Sequence, residues 1–100
     1  MLTKQKIITA LEAHKAEIRS FGVMKLTLFG SYARGEATAK SDIDFLVEFK
    51  KGRGLFDDSY GLQQFLHTLF KKEIDLVKSA LVREELKPFI FEGETVEARV

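Results

Sequence analysis

The sequence predicts an α/β domain in which a small mixed β-sheet is flanked by helices. Two observations predict it. Three short β-prone runs, Val23 to Phe29, Ser41 to Phe49 and Glu73 to Val77, alternate with stretches whose apolar residues recur at three- and four-residue steps. The second of those runs also alternates between two faces, with Ile43, Phe45, Val47 and Phe49 on one side and Asp42, Asp44, Leu46 and Glu48 on the other. The resulting order of helix, strand, short turn, strand, helix, strand, helix places helices over a sheet.

From Thr3 to about Phe21, Ile7, Leu11, Ile18 and Phe21, with Ile8 beside them, mark one amphipathic helix that Thr3 can cap and Gly22 can end. Val23 to Phe29 is bounded by Gly22 and Gly30 and suits a strand. Tyr32 to Lys40 is small, polar and charged, which fits a short helical turn and a loop, and Lys50 to Gly54 is a turn by its glycines. Asp57 or Asp58 can cap a second long helix with the stripe Leu62, Phe65, Leu66, Leu69 and Phe70. After the third strand, Ser79 to Leu86 fits one or two helical turns stopped before Pro88, and helix and strand are both open for the tail.

Composition excludes whole classes. A chain of 100 residues, 45% of them hydrophobic, fits a single domain over 1–100 with one modest core. Sixteen basic against fifteen acidic side chains leave a formal charge of +1, too balanced for a dedicated polyanion binder. The absence of cysteine removes disulfides and thiolate metal sites and agrees with a reducing compartment, so a cytoplasmic location is expected. No apolar run approaches the roughly 18 residues that a spanning helix needs, so no membrane role is expected.

The residues that carry chemistry are Leu28-Phe29-Gly30-Ser31-Tyr32-Ala33-Arg34-Gly35, continued through Ser41-Asp42-Ile43-Asp44-Phe45. Gly30 and Ser31 follow a strand and open a short helix, so backbone N–H groups and a hydroxyl can face a phosphate where glycine permits close approach. Asp42 and Asp44 lie two apart on a strand, at Cα separations of roughly 6.5–7 Å on one face, where two like charges invite a divalent cation. Hard oxygen donors without His or Cys favour Mg²⁺ or Mn²⁺, which commonly complete their shells with water and substrate phosphate. A nucleoside triphosphate is the substrate that such a site implies. Arg34 and Lys40 can each steady phosphate oxygens, Arg34 from within the motif itself. His14 falls on the apolar stripe of the first helix and His67 on a polar face, and neither has a partner at metal-binding spacing.

Gly-Ser followed by ten residues and then Asp-x-Asp, with Phe29 before the pair and Ile43 and Phe45 after the aspartates, resembles the signature of the DNA polymerase β-like nucleotidyltransferase superfamily. The fuller string Gly-Ser-Tyr-Ala-Arg-Gly-Glu-Ala with Ser-Asp-Ile-Asp is similar to the minimal nucleotidyltransferase (MNT) domains. The likeness covers Val23 to about Pro88, and the tail from Leu86 through Glu92 to Val96 loosely resembles how such domains end. The resemblance implies the polymerase β-like fold and a third carboxylate on a later strand. Asp75 matches, with apolar neighbours on both sides, while Glu73 on the same strand face competes.

By the same resemblance, Asp42, Asp44 and Asp75 hold two Mg²⁺ ions, Gly30, Ser31 and Arg34 bind the nucleotide, and Asp75 can take the proton of the acceptor hydroxyl. It also implies transfer of AMP from ATP to a protein hydroxyl, a tyrosine of a HEPN-domain RNase toxin, with the chain acting as antitoxin and associating with that partner. Two other functions stand beside it: a binding module that neutralises a toxin by contact, and transfer to a small molecule. Nucleic acid is not the expected substrate, because no basic stripe interleaved with stacking aromatics is present.

Overall fold

Thr3 starts the first helix, its hydroxyl accepting the Lys6 N–H at 3.2 Å, and helix α1 runs over Lys4–Ala13. The one long helix expected to reach Phe21 is instead two. His14 leaves helical geometry at φ −112° and ψ 23°, and α2 resumes over Lys15–Ser20. The cause lies in the His14 ring, whose Nδ1 sits 2.9 Å from the Ala10 carbonyl while its edge packs on Phe65 at 5.8 Å. The break leaves the apolar face intact, and Ile7, Leu11 and Ile18 are all fully buried.

The computed structural model describes residues 2–90 and 93–100, so Glu92 lies outside the described residues. Strand β1 (Val23–Phe29) leads into a short helix α3 (Gly30–Arg34), and β2 (Ile43–Phe49) into helix α4 (Phe56–Phe70). Strand β3 (Ile74–Lys78) is followed by 3₁₀ turns at Ser79–Leu81 and Glu84–Leu86, a helical turn α5 (Lys87–Ile90) and strand β4 (Val96–Ala98). The four strands form one mixed sheet in the order β3-β2-β1-β4, with β2 and β3 parallel and the other pairs antiparallel. β4 resolves the open reading of the tail: three residues pair with Leu26, Thr27 and Leu28, a match made by the β1 edge more than by their own propensity.

The alternation predicted for β2 is observed. Ile43, Phe45 and Val47 are fully buried beside Leu26 and Leu28 of β1, and Leu62 and Leu66 of α4 cover them together with α1 and α2. The other face turns Asp44, Leu46 and Glu48 away from this core.

Neither Asp57 nor Asp58 is the cap of α4. Leu55 holds that place without a side-chain hydrogen bond, and both aspartates lie in the first turn, where the helix dipole favours them. The Asp58 carboxylate reaches back to accept the Gly54 N–H at 2.9 Å and two N–H groups of Arg53 at 2.8 Å. Among the described residues no helix is long and apolar enough to cross a membrane.

Candidate active site

The site forms where β1 ends and β2 begins. Phe29 pairs with Asp44 across the antiparallel ladder, and Asp44 pairs with Asp75 across the parallel one, so three neighbouring strands present their ends together. Strand spacing of about 4.8 Å then places the two carboxylates side by side. Immediately after Phe29 the chain turns at Gly30, which adopts φ +75°. A Cβ built there would overlap Asp44 Oδ2 and lie 2.9 Å from its Cγ. Glycine is therefore required twice over, by the left-handed backbone and by the carboxylate packed against it.

Asp44 carries the electrostatic signature of the site. Its carboxyl is raised from the ordinary 3.8 to about 6, first by burial, then by the charges of Asp75 and Asp42 and a hydrogen bond with Asp75, while Arg34 pulls weakly the other way. Asp42 is exposed and stands one residue ahead of β2, so the strand expected from Ser41 begins at Ile43, where the Ile43 N–H bonds the Glu73 carbonyl at 3.1 Å. The approach to Asp42 is held by a small turn in which the Thr38 N–H bonds the Ser41 hydroxyl at 2.8 Å and the Ser41 N–H returns to the Thr38 carbonyl at 3.0 Å.

The remaining residues singled out from the sequence divide. Ser31 is half-buried in α3, and among the described residues its hydroxyl makes no hydrogen bond. Arg34 ends α3, 3.6 Å from a Glu36 carboxylate oxygen, with its aliphatic stem against Gly93. Asp75 is exposed beside Asp44, whereas Glu73 faces Gln63, Gln64 and His67 of α4 and does not act on Asp44. Lys40 stays in the exposed loop, and His67 bonds the Lys72 carbonyl through Nδ1 at 2.8 Å.

One contributor had no sequence signal. Lys72 Nζ donates to the Ala39 carbonyl at 2.9 Å and lies 6.0 Å from the centre of the Tyr32 ring, so it ties the loop ahead of Asp42 to α3 from the connection between α4 and β3. Tyr32 is buried, and its hydroxyl has no partner among the described residues.

Asp44, with Asp75 and Asp42 acting on it, offers oxygen donors without His or Cys, the donor type that hard divalent cations prefer. Among the described residues no group of three or more acidic, histidine or cysteine side chains is placed so that it could by itself hold a metal ion. Mg²⁺ commonly takes few carboxylates and completes its shell with water and phosphate oxygens.

The nucleotidyltransferase domain family matches residues 9–99, a span that includes Gly30, Ser31 and all three aspartates. The chain belongs to that family. A relative of this nucleotidyltransferase domain, the protein adenylyltransferase MntA of Thermococcus cleftensis, is 38% identical over 97 residues, covering 91% of this chain and 97% of its own length. A solved structure described as a minimal nucleotidyltransferase superposes with a TM-score of 0.77 at 29% identity, over 93% of this chain and 94% of that one. A complex of a tri-AMPylated Shewanella oneidensis HEPN toxin with an MNT antitoxin shares the fold, with a TM-score of 0.60 at 19% identity over 90% of this chain and 70% of that one.

Proposed function

We propose that this nucleotidyltransferase domain transfers AMP from ATP to a hydroxyl of a partner protein, a tyrosine of a HEPN-domain toxin, and thereby acts as an antitoxin. The observation that carries the reading is the packing of Gly30 on the Asp44 carboxylate with Asp75 in register beside it. It joins a left-handed glycine turn to a pair of acids at one strand end. The Thermococcus relative, named as a protein adenylyltransferase, supports the choice of AMP and of a protein acceptor.

In this reading Gly30 lets the turn pack on Asp44 and offers its backbone to the nucleotide, the Ser31 hydroxyl donates to a phosphate oxygen, and the Arg34 guanidinium donates to another. Asp42, Asp44 and Asp75 are the residues that would hold Mg²⁺, two ions in all, which when bound neutralise phosphate charge and act as Lewis acids. Asp75, the most open member of the register pair, accepts the proton of the attacking hydroxyl. The new bond joins the acceptor oxygen to the α-phosphorus, the bond from that phosphorus to the β-bridging oxygen breaks, and pyrophosphate leaves.

The test incubates the chain with α-labelled ATP, Mg²⁺ and the protein encoded by the adjacent gene, a HEPN-domain protein in this reading. Label and added mass on that protein are expected, and an Asp44→Asn variant that still folds should lose transfer by at least ~100-fold. Normal transfer by the folded variant would refute the assignment. Neutralisation of the toxin with no label on it would favour a module that acts by contact alone.

A further inference from the structure

The end of the sheet remote from the carboxylates carries a second surface. β2 leaves Asp44 at one end and delivers Phe49 to the Lys50–Gly54 turn at the other, roughly 15–20 Å away at strand rise. There the ends of β2 and β3 open on a cavity of about 460 Å³ whose lining includes Phe49, Lys50, Lys51, Gly54, Lys78 and Leu81. Leu81 on this rim is 76% exposed. Leu55 and Phe56, which follow Gly54 directly, are 74% and 75% exposed, and Tyr60 is 55% exposed. The Phe56 and Tyr60 rings stack on one another at 5.6 Å and 17°, so they form one platform facing water. Single exposed apolar side chains are ordinary, but one on the rim and three in the segment that leaves it after Gly54 mark a contact surface.

Charge selects the occupant. Lys50, Lys51 and Lys78 border the opening, and among the described residues none of them is in an ion pair. Of the nearby acids, Asp58 holds Arg53, Asp57 lies in the first turn of α4, and Glu48 also lines the cavity while the Lys25 opposite it in the register pairs with Glu97, so three lysines face one lining acid. A second copy of the chain docking about a two-fold axis would set lysines against lysines.

We propose that this patch docks an amphipathic, acidic segment of the acceptor protein, its apolar side chains on Leu55, Phe56, Tyr60 and Leu81 and its carboxylates against Lys50, Lys51 and Lys78. The inference rests on the protein-acceptor reading above and adds the place of recognition. A folded partner held at one end of the sheet can reach the carboxylates at the other, whereas a small acceptor cannot span both.

The experiment titrates the HEPN-domain acceptor that modification identifies against the full chain, against Phe56→Glu and against a Lys50→Glu/Lys51→Glu double variant. All changes are at exposed positions away from the carboxylates. Each variant is expected to weaken binding by about tenfold or more while Mg·ATP affinity and Tm stay at wild-type values, and the loss in the lysine variant should shrink at high salt. Unchanged partner affinity in both variants would overturn the docking surface and leave the transfer reading standing. A wild-type dimer in sedimentation that Phe56→Glu dissociates would overturn it in favour of self-association. A wild-type chain that binds no HEPN-domain protein would overturn the functional reading itself, and the docking inference with it.

Discussion

Gly30 is the residue on which most of the site depends. Its φ of +75° excludes a side chain on conformational grounds, and the Asp44 carboxylate fills the space where that side chain would go. Gly30→Ala should therefore cost about 2 kcal/mol or more in urea unfolding and, by displacing Asp44, remove AMP transfer even in the folded fraction. An active, equally stable Ala variant would show that the contact is not needed. The Gly-Ser turn and the Asp-x-Asp pair were legible in the sequence because their spacing is local. Lys72 was not, since its hydrogen bond to Ala39 joins residues far apart in the chain and its residue type is ordinary on a surface. Likewise Asp75 and Glu73 share one strand face in the sequence, and only packing turns one toward Asp44 and the other toward α4.

At the scale of elements, the start of α4 is held by Asp58 from within its first turn. The Arg53 guanidinium and the Gly54 N–H bond this carboxylate and hold it well below the ordinary 3.8, at about 2. An acid with a depressed folded value stabilises the fold above its unfolded value and loses that contribution as pH falls through the folded one. Acid unfolding followed by circular dichroism should thus show an Asp58-dependent loss between about pH 4 and pH 2. An Asp58→Asn variant should begin less stable at neutral pH and lack that component. Periodicity and β-propensity placed α4 and the first three strands to within one or two residues. The split at His14 and the short β4 escaped them, because the first depends on a ring packing against Phe65 and the second on an edge offered by β1.

Across the whole molecule the near-neutral balance of sixteen basic and fifteen acidic residues hides an uneven distribution. Asp44 stands at one end of the sheet with Asp75 and Asp42 acting on it, and lysines that are in no ion pair among the described residues border the other. The acid cluster opposes folding in the absence of a cation. Asp44 is raised to about 6, so its contribution is most favourable below about pH 4 and is lost as pH climbs through 6. In metal-free buffer at pH 7 the Asp44→Asn variant is expected to be more stable than wild type, by about 1 kcal/mol once solvent screening of a half-exposed group is allowed for. Adding Mg²⁺ should raise the Tm of wild type and barely move the variant. Thermal melts with and without Mg²⁺ check both, and a less stable variant in metal-free buffer would mean that Asp44 serves the fold and not the site.

The sequence by itself determined the fold class, the order of the main helices and strands, and the residues of the glycine-serine turn and the aspartate pair, because each is written in short-range spacing. Only the tertiary structure decided which late-strand acid stands beside Asp44, what holds the loop ahead of Asp42, and that the basic and aromatic surface lies at the opposite end of the sheet. Those facts depend on strand order and register, which bring together residues that local propensity cannot relate.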